Sequence, residues 1–239
     1  MKIEIIPCLQ DNYSYLIIDK KNNTACVVDP SEADPIIKYI ENNNIKLKFI
    51  LNTHHHYDHV GGNKKLKEKY GASVIGYKED KERIPEIDIL LNDQETWIYE
   101  NFEAKVIHVP GHTLGHICFY FYKEQSVFTG DTLFSLGCGR IFEGTHAQMF
   151  SSLMKLKELP QNTKIYCGHE YTKQNSRFCI ANDEDNKKLK AKINDIEIKL
   201  KKGLSTIPST IQDELDCNIF LRSNNVQTFS KLRDLKDNF

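Results

Sequence analysis

Thr53-His54-His55-His56-Tyr57-Asp58-His59 decides how this chain is read. Within it, His54-x-His56-x-Asp58-His59 places four metal-ligating side chains in six residues, with Gly61 and Gly62 just behind. Imidazole suits zinc, copper, iron and nickel, and a carboxylate shifts the set towards zinc or iron. His and Asp are costly to bury unless something binds them. We therefore prefer metal binding to the alternative, a solvated loop that happens to be rich in histidine.

The apolar run Phe49-Ile50-Leu51-Asn52 predicts a short strand leading into the motif. At its end His54 and His56 lie two apart and point to one side, while His55 and Tyr57 point away. Asp58 and His59 are adjacent, so a turn is needed to bring both back towards the site. A strand-to-loop transition of this kind can offer two ligands to each of two ions. Further ligands recur downstream in one pattern, each after a glycine at the end of an apolar run. His112 follows Ala104 to Val109 through Pro110-Gly111, Asp131 follows Ser126 to Gly130, and His169 follows Lys164 to Gly168. A lone histidine after a strand is commonly just hydrogen-bonded. A series of such strand-end positions is what a site built on a rigid sheet looks like.

Composition fits an enzyme and excludes other classes. A chain of 239 residues is long enough for one large domain with an appendage, and a net charge of −1 gives no basis for general nucleic-acid binding. The first residues do not read as a secretory signal, and no run approaches the ~20 apolar residues that span a bilayer. The seven cysteines are odd in number and lack a Cys-x-x-Cys pair, which points to reduced thiols and a cytoplasmic setting. Cys138 and Cys167 flank the candidate ligands and are read as structural.

Short strand-like runs dominate up to about residue 170: Ile3 to Ile6, Tyr13 to Ile18, Cys26 to Val28, Phe49 to Leu51, Ser73 to Tyr77, and the three that precede His112, Asp131 and His169. Helices are expected after Asp34-Pro35, after Gly61-Gly62, and from about Ala147 to Glu158. Strands mixed with helices argue for packed sheets covered by helices, an α+β class. Beyond residue 170 the pattern turns helical. Leu189, Ile193, Ile196 and Leu200 recur at helical spacing, Gly203 stops that helix, and another begins near Ile211. The lysines and glutamates interleaved there read as a solvated face.

The set Thr53 to His59, Pro110-Gly111-His112-Thr113, Gly130-Asp131-Thr132 and Cys167-Gly168-His169-Glu170-Tyr171 resembles the metallo-β-lactamase superfamily. Phe134 to Thr145, Gly168 to Thr172 and the tail from Arg233 to Phe239 narrow the resemblance to its glyoxalase II (hydroxyacylglutathione hydrolase) branch. The resemblance spans essentially the whole chain. It implies an αβ/βα sandwich, two mixed sheets flanked by helices, over residues 1–169, and a helical glutathione-binding domain over 170–239. It implies two divalent ions, zinc foremost with iron or manganese as alternatives. His54, His56 and His112 would hold one, Asp58, His59 and His169 the other, and Asp131 would bridge them beside a shared hydroxide. Arg140, Phe142, Tyr171, Arg233 and Lys236 map onto the thiol-binding groove. Phe142 stands where some relatives have tyrosine, so a side-chain hydrogen bond is lost there. Ile219 stands where relatives often have proline, which is expected to alter a loop.

The implied reaction is hydrolysis of S-D-lactoylglutathione to glutathione and D-lactate, the second step of methylglyoxal detoxification. A metal lowers the pKa of bound water to about 7, and two ions ~3.5–4 Å apart can hold that nucleophile and stabilise the oxyanion. A thiolate with a parent pKa of about 8.5 leaves without a strong acid. Asp58 is then free to orient the nucleophile or take its proton. Arg140, Arg233 and Lys236 suit the carboxylates of glutathione. His116 is expected behind a ligand, and His55, His108 and His146 outside the set. The partner is thus a small thioester, with a monomeric chain, no nucleic acid and no membrane. Two other readings are a mononuclear iron dioxygenase acting on glutathione persulfide and a non-catalytic metal-dependent binding protein. The former lacks a full second metal site and the helical tail, and the latter would have lost ligands that are all present here.

Overall fold

The computed structural model describes residues 1–239 throughout. Backbone contacts divide the chain into two compact units, residues 1–108 with 115–124 and residues 109–114 with 125–239.

In the first unit, β1 (Lys2–Cys8), β2 (Asn12–Asp19), β3 (Thr24–Val28), β4 (Lys46–Leu51), β5 (Ser73–Tyr77) and β6 (Ile87–Leu91) form a six-stranded mixed sheet in sequence order. β1, β2 and β3 pair antiparallel, and β3 to β6 pair parallel. Parallel neighbours need crossovers, which helices supply. α1 (Ala33–Asn42) links β3 to β4, and α2 (Tyr57–Val60) and α3 (Asn63–Tyr70) link β4 to β5. Pro35 lies in the first turn of α1, where its missing N–H costs nothing, and Ile36 and Ile40 point inward. These residues and Leu66 of α3 pack with Leu16, Val27, Ile50 and Val74 in one apolar core. Burying one such side chain is worth about 1.5–3 kcal/mol. β7 (Thr96–Tyr99), β8 (Phe102–His108) and β9 (Ile117–Phe121) follow as an antiparallel ladder.

In the second unit, β10 (Ser126–Gly130) leads into a hairpin of β11 (Leu133–Phe134) and β12 (Gly137–Cys138). α4 (His146–Lys157) begins one residue before the predicted start, fixed by a Thr145/Gln148 capping box. β13 (Lys164–Cys167) runs parallel to β10, and β14 (Ser209–Thr210) pairs antiparallel to β13. The remainder is helical: α5 (Thr172–Asn182), α6 (Lys187–Lys201), α7 (Ile211–Cys217) and α8 (Val226–Asp237). Past the end of α6, Gly203 adopts the left-handed conformation at φ 68°, as its stop signal predicts. Two mixed sheets flanked by helices, with a helical C-terminal region, are the architecture expected from the sequence.

Candidate metal centre and cavity

In the first unit β4 delivers its chain directly to the histidine run, as expected. The turn that follows is a one-turn helix, α2, which carries Asp58 and His59. His54 and His59 are buried, with ring centroids 4.2 Å apart, and the His56 ring lies 4.7 Å from His54. Tyr57 points out and is 80% exposed, and His55 turns away to meet Asp80 Oδ2 at 3.2 Å.

Asp29, at the end of β3, organises this group. Its carboxylate accepts from Thr53 N at 2.8 Å, from Thr53 Oγ1 at 2.6 Å and from His59 Nδ1 at 3.0 Å. The Thr53 hydroxyl has spent its proton on Asp29, so it accepts from His54 Nδ1–H at 3.1 Å. Both rings are thus held as Nδ1–H tautomers, which leaves Nε2 with the lone pair a metal needs. Asn12 grips Asp58, donating to its Oδ2 at 3.0 Å and its carbonyl at 3.1 Å. His116 is buried and stacks on His54, with centroids 4.6 Å apart. Asp29 and Asn12 escaped the sequence reading. Asp29 carries the same signal as Asp131, an acid at the end of an apolar strand.

The second unit brings together His112, Asp131 and His169, all nearly buried. His112 Nδ1–H donates to the Arg140 carbonyl at 2.8 Å, so its Nε2 is again the atom with the lone pair. Asp131 Oδ2 stands 3.5 Å from His112 Nε2 and 3.3 Å from His169 Nε2. A carboxylate oxygen beside two imidazole nitrogens joins histidine with carboxylate, a donor set suited to zinc or iron. The backbone here is tight: a Cβ on Gly139 would lie 1.9 Å from the Asp131 carbonyl oxygen, so only glycine fits.

His112 and Asp131 face a cavity of about 410 Å³ that is also lined by Arg140, Phe142, Tyr171, Arg233 and Lys236. Tyr171 stacks flat on His169 at 4.6 Å, and Phe142, 63% exposed, meets His112 edge-on at 5.1 Å. The three cations differ. Arg140 reaches outward, its Nε 3.7 Å from Asp237. Arg233 is buried, donating to the Cys138 carbonyl and to Asp237 Oδ1, both at 2.8 Å, with its guanidinium over the Phe220 ring. Burial, reinforced by the nearby Arg233, holds the Lys236 ammonium below its usual pKa. All seven cysteines are free and buried, and burial pushes the Cys167 thiol up to about 12, which suits the structural role expected of it. His108 stacks on Tyr77, and His146 bonds Asp234, each away from the ligands of its own unit.

Comparison with known proteins agrees with this chemistry. A Metallo-beta-lactamase superfamily model matches residues 10–169, and a model of the hydroxyacylglutathione hydrolase C-terminus matches residues 170–239. A Pelagibacter ubique (strain HTCC1062) protein named hydroxyacylglutathione hydrolase is 75% identical over 239 residues, with both chains fully covered. One of the same name from Crocosphaera subtropica is 43% identical over 257 residues, again at full coverage of both. Among solved structures, ETHE1 from Myxococcus xanthus aligns with a TM-score of 0.75 at 22% identity, over 98% of this chain and 90% of that one, a likeness of fold.

Proposed function

The chain belongs to the hydroxyacylglutathione hydrolase family of the metallo-β-lactamase superfamily, and from that premise we propose that it cleaves S-D-lactoylglutathione to glutathione and D-lactate. It is a thioester hydrolase with a divalent-metal-binding His/Asp cluster. On our reading two ions are bound, zinc foremost, with iron or manganese as alternatives. The family pattern, carried over residue by residue, gives His54, His56 and His112 to one and Asp58, His59 and His169 to the other, with Asp131 shared. Bound there, such a pair supplies acidified water and countercharge for the oxygen of the attacked carbonyl.

The chain's own residues do the rest. Asp29 and Thr53 fix the imidazoles, and Asn12 fixes the Asp58 carboxylate, which orients the nucleophile or takes its proton. Asp131 sets the spacing of the ligands around it. Arg140, Arg233 and Lys236 draw the glutathione carboxylates, Tyr171 and Phe142 flank the peptide, and the thiolate departs unassisted. Residues 170–239 form the glutathione-binding domain on this reading. The dioxygenase alternative is not favoured, because the C-terminal match covers the whole tail. No helix is long and apolar enough to cross a membrane, and we read the chain as a cytoplasmic monomer acting on a small molecule without nucleic acid.

The observation that carries this is the Asp131 carboxylate, set between His112 and His169 and facing the same cavity as the three cations. The test is hydrolysis of S-D-lactoylglutathione by one preparation before and after metal removal by a chelator, with metal content measured alongside. Loss on stripping and recovery on adding zinc is the expected result, and activity that persists without metal refutes the mechanism.

A further inference from the structure

The tip of the β11–β12 hairpin is held by side chains from far along the chain. Five backbone groups between Ser135 and Cys138 are each bound by such a side chain. Asn175 donates to Ser135 O at 3.1 Å, and Leu136 N donates to Glu214 Oε2 at 2.8 Å. Cys179 donates to Leu136 O at 3.1 Å, Asn218 to Gly137 O at 3.0 Å and Arg233 to Cys138 O at 2.8 Å. All five side chains are buried, and Asn218 also donates to Glu214 Oε2 at 2.9 Å. Leu136 is left-handed at φ 59°, a conformation a leucine keeps only where its surroundings over-determine it. A hairpin tip normally faces water. This one is clamped as firmly as a strand inside a sheet.

The clamp leads to a metal ligand. Past Cys138, Gly139 N donates to Thr132 O at 3.2 Å, and the carbonyl of the following residue, Arg140 O, accepts the His112 Nδ1 proton at 2.8 Å. Phe142 N and Glu143 N close back onto His112 O at 3.2 and 3.3 Å. The Arg140 carbonyl thus holds the Nδ1 side of the His112 ring, two residues along the chain from the last clamped carbonyl at Cys138.

We infer that Asn218 and Glu214 are positioning residues for His112, so that the helical tail sets the metal affinity of the site in addition to lining the substrate cavity. The inference rests on His112 being a metal ligand, as proposed above.

Zinc affinity of the full-length chain, measured by chelator competition, tests it. The variants are Asn218→Ala, Gly137→Ala, His112→Ala and, as a control of stability alone, Ile196→Ala on α6. Gly137→Ala attacks the clamp from the loop side, because the added methyl would meet Asn175 Nδ2 at 2.4 Å, and it decides the matter should Asn218→Ala fail to fold. Partners behind a ligand typically contribute 10–100-fold in metal affinity. We expect a loss of roughly that size in Asn218→Ala and Gly137→Ala, with Ile196→Ala within about twofold of the parent. Clamp variants that bind zinc like the control, while His112→Ala loses affinity, overturn the positioning role and leave the ligand assignment standing. Parental affinity in His112→Ala overturns both.

Discussion

Glu214 gives the sharpest prediction about pH. Its carboxyl is fully buried on α7, and loss of hydration pushes its pKa from 4.5 up to about 7, against the smaller opposing pull of hydrogen bonds from Ser209, Asn218 and Leu136 and of the charge on Lys192. The folded chain thus holds this proton more tightly than the unfolded chain. Stability that comes from the tighter hold is fully present below about pH 4.5 and is lost as pH rises through about 7. At roughly 1.4 kcal/mol per pH unit, the interval is worth on the order of 3 kcal/mol, a sizeable part of the roughly 5–15 kcal/mol that holds a typical domain together.

Glu214→Gln removes the titration and keeps an oxygen for Leu136 N–H and Asn218. Urea unfolding of parent and variant, both saturated with zinc, should be followed from pH 5 to 8. Titration of the metal ligands is common to both and cancels in the difference. The variant should gain on the parent steadily as pH rises, by ~2–3 kcal/mol across the range, with most of the change below pH 7. A difference that stays flat would refute the reasoning. It would mean that water reaches this carboxylate and keeps it ionised at ordinary pH.

Three further outcomes are expected. Asp131→Ala should carry fewer than two zinc ions per chain by elemental analysis, and retention of two would refute a shared carboxylate. Asp29→Ala strands the Thr53 and His59 donors and should weaken zinc binding by 10–100-fold in a chelator competition, whereas an unchanged constant would remove its role behind the ligands. Arg140→Ala, at a side chain 64% exposed, should raise KM for the thioester ~tenfold, the loss of roughly 1.4 kcal/mol of binding, with little change in unfolding midpoint; an unchanged KM refutes the anion contact.

The histidine run was legible because its candidate ligands are local and their chemistry is carried by residue type. The alternation of His54 and His56 against His55 and Tyr57 follows from strand geometry alone, and Tyr57 and His55 do turn away. The strand-end rule found the positions of His112, Asp131 and His169, and applied to β3 it would have found Asp29. β9 went unread because Ile117–Phe121, apolar throughout, gives no alternation to follow. α5 lies in the region expected to be helical beyond residue 170, but its own pattern did not single it out, for a more telling reason. Its buried face includes Asn175 and Cys179, which bond the hairpin, and Ser176, which bonds back to Lys173 O, so an apolar stripe was the wrong signal to seek. The clamp itself joins residues 40 to 95 positions apart, and no local pattern encodes such a pairing.

Arg233 and Lys236 are assigned to the substrate groove by the resemblance, and burial separates their roles. They lie three apart on α8, yet the helix gives them different surroundings. Arg233 is inside, bound to the Cys138 carbonyl and to Asp237, whereas Lys236 lies over the Phe178 and Phe239 rings beside the cavity. Its removal strands a buried carbonyl, so Arg233→Ala should lower stability by about 1–3 kcal/mol in urea unfolding as well as raise KM. Lys236→Ala should raise KM alone, because its ammonium has just one hydrogen bond, long at 3.5 Å to Gln174 O. If Arg233→Ala kept the parental unfolding midpoint and differed in KM only, the guanidinium would be a plain substrate contact. The tail would then serve the substrate without also bracing the loop on which His112 depends.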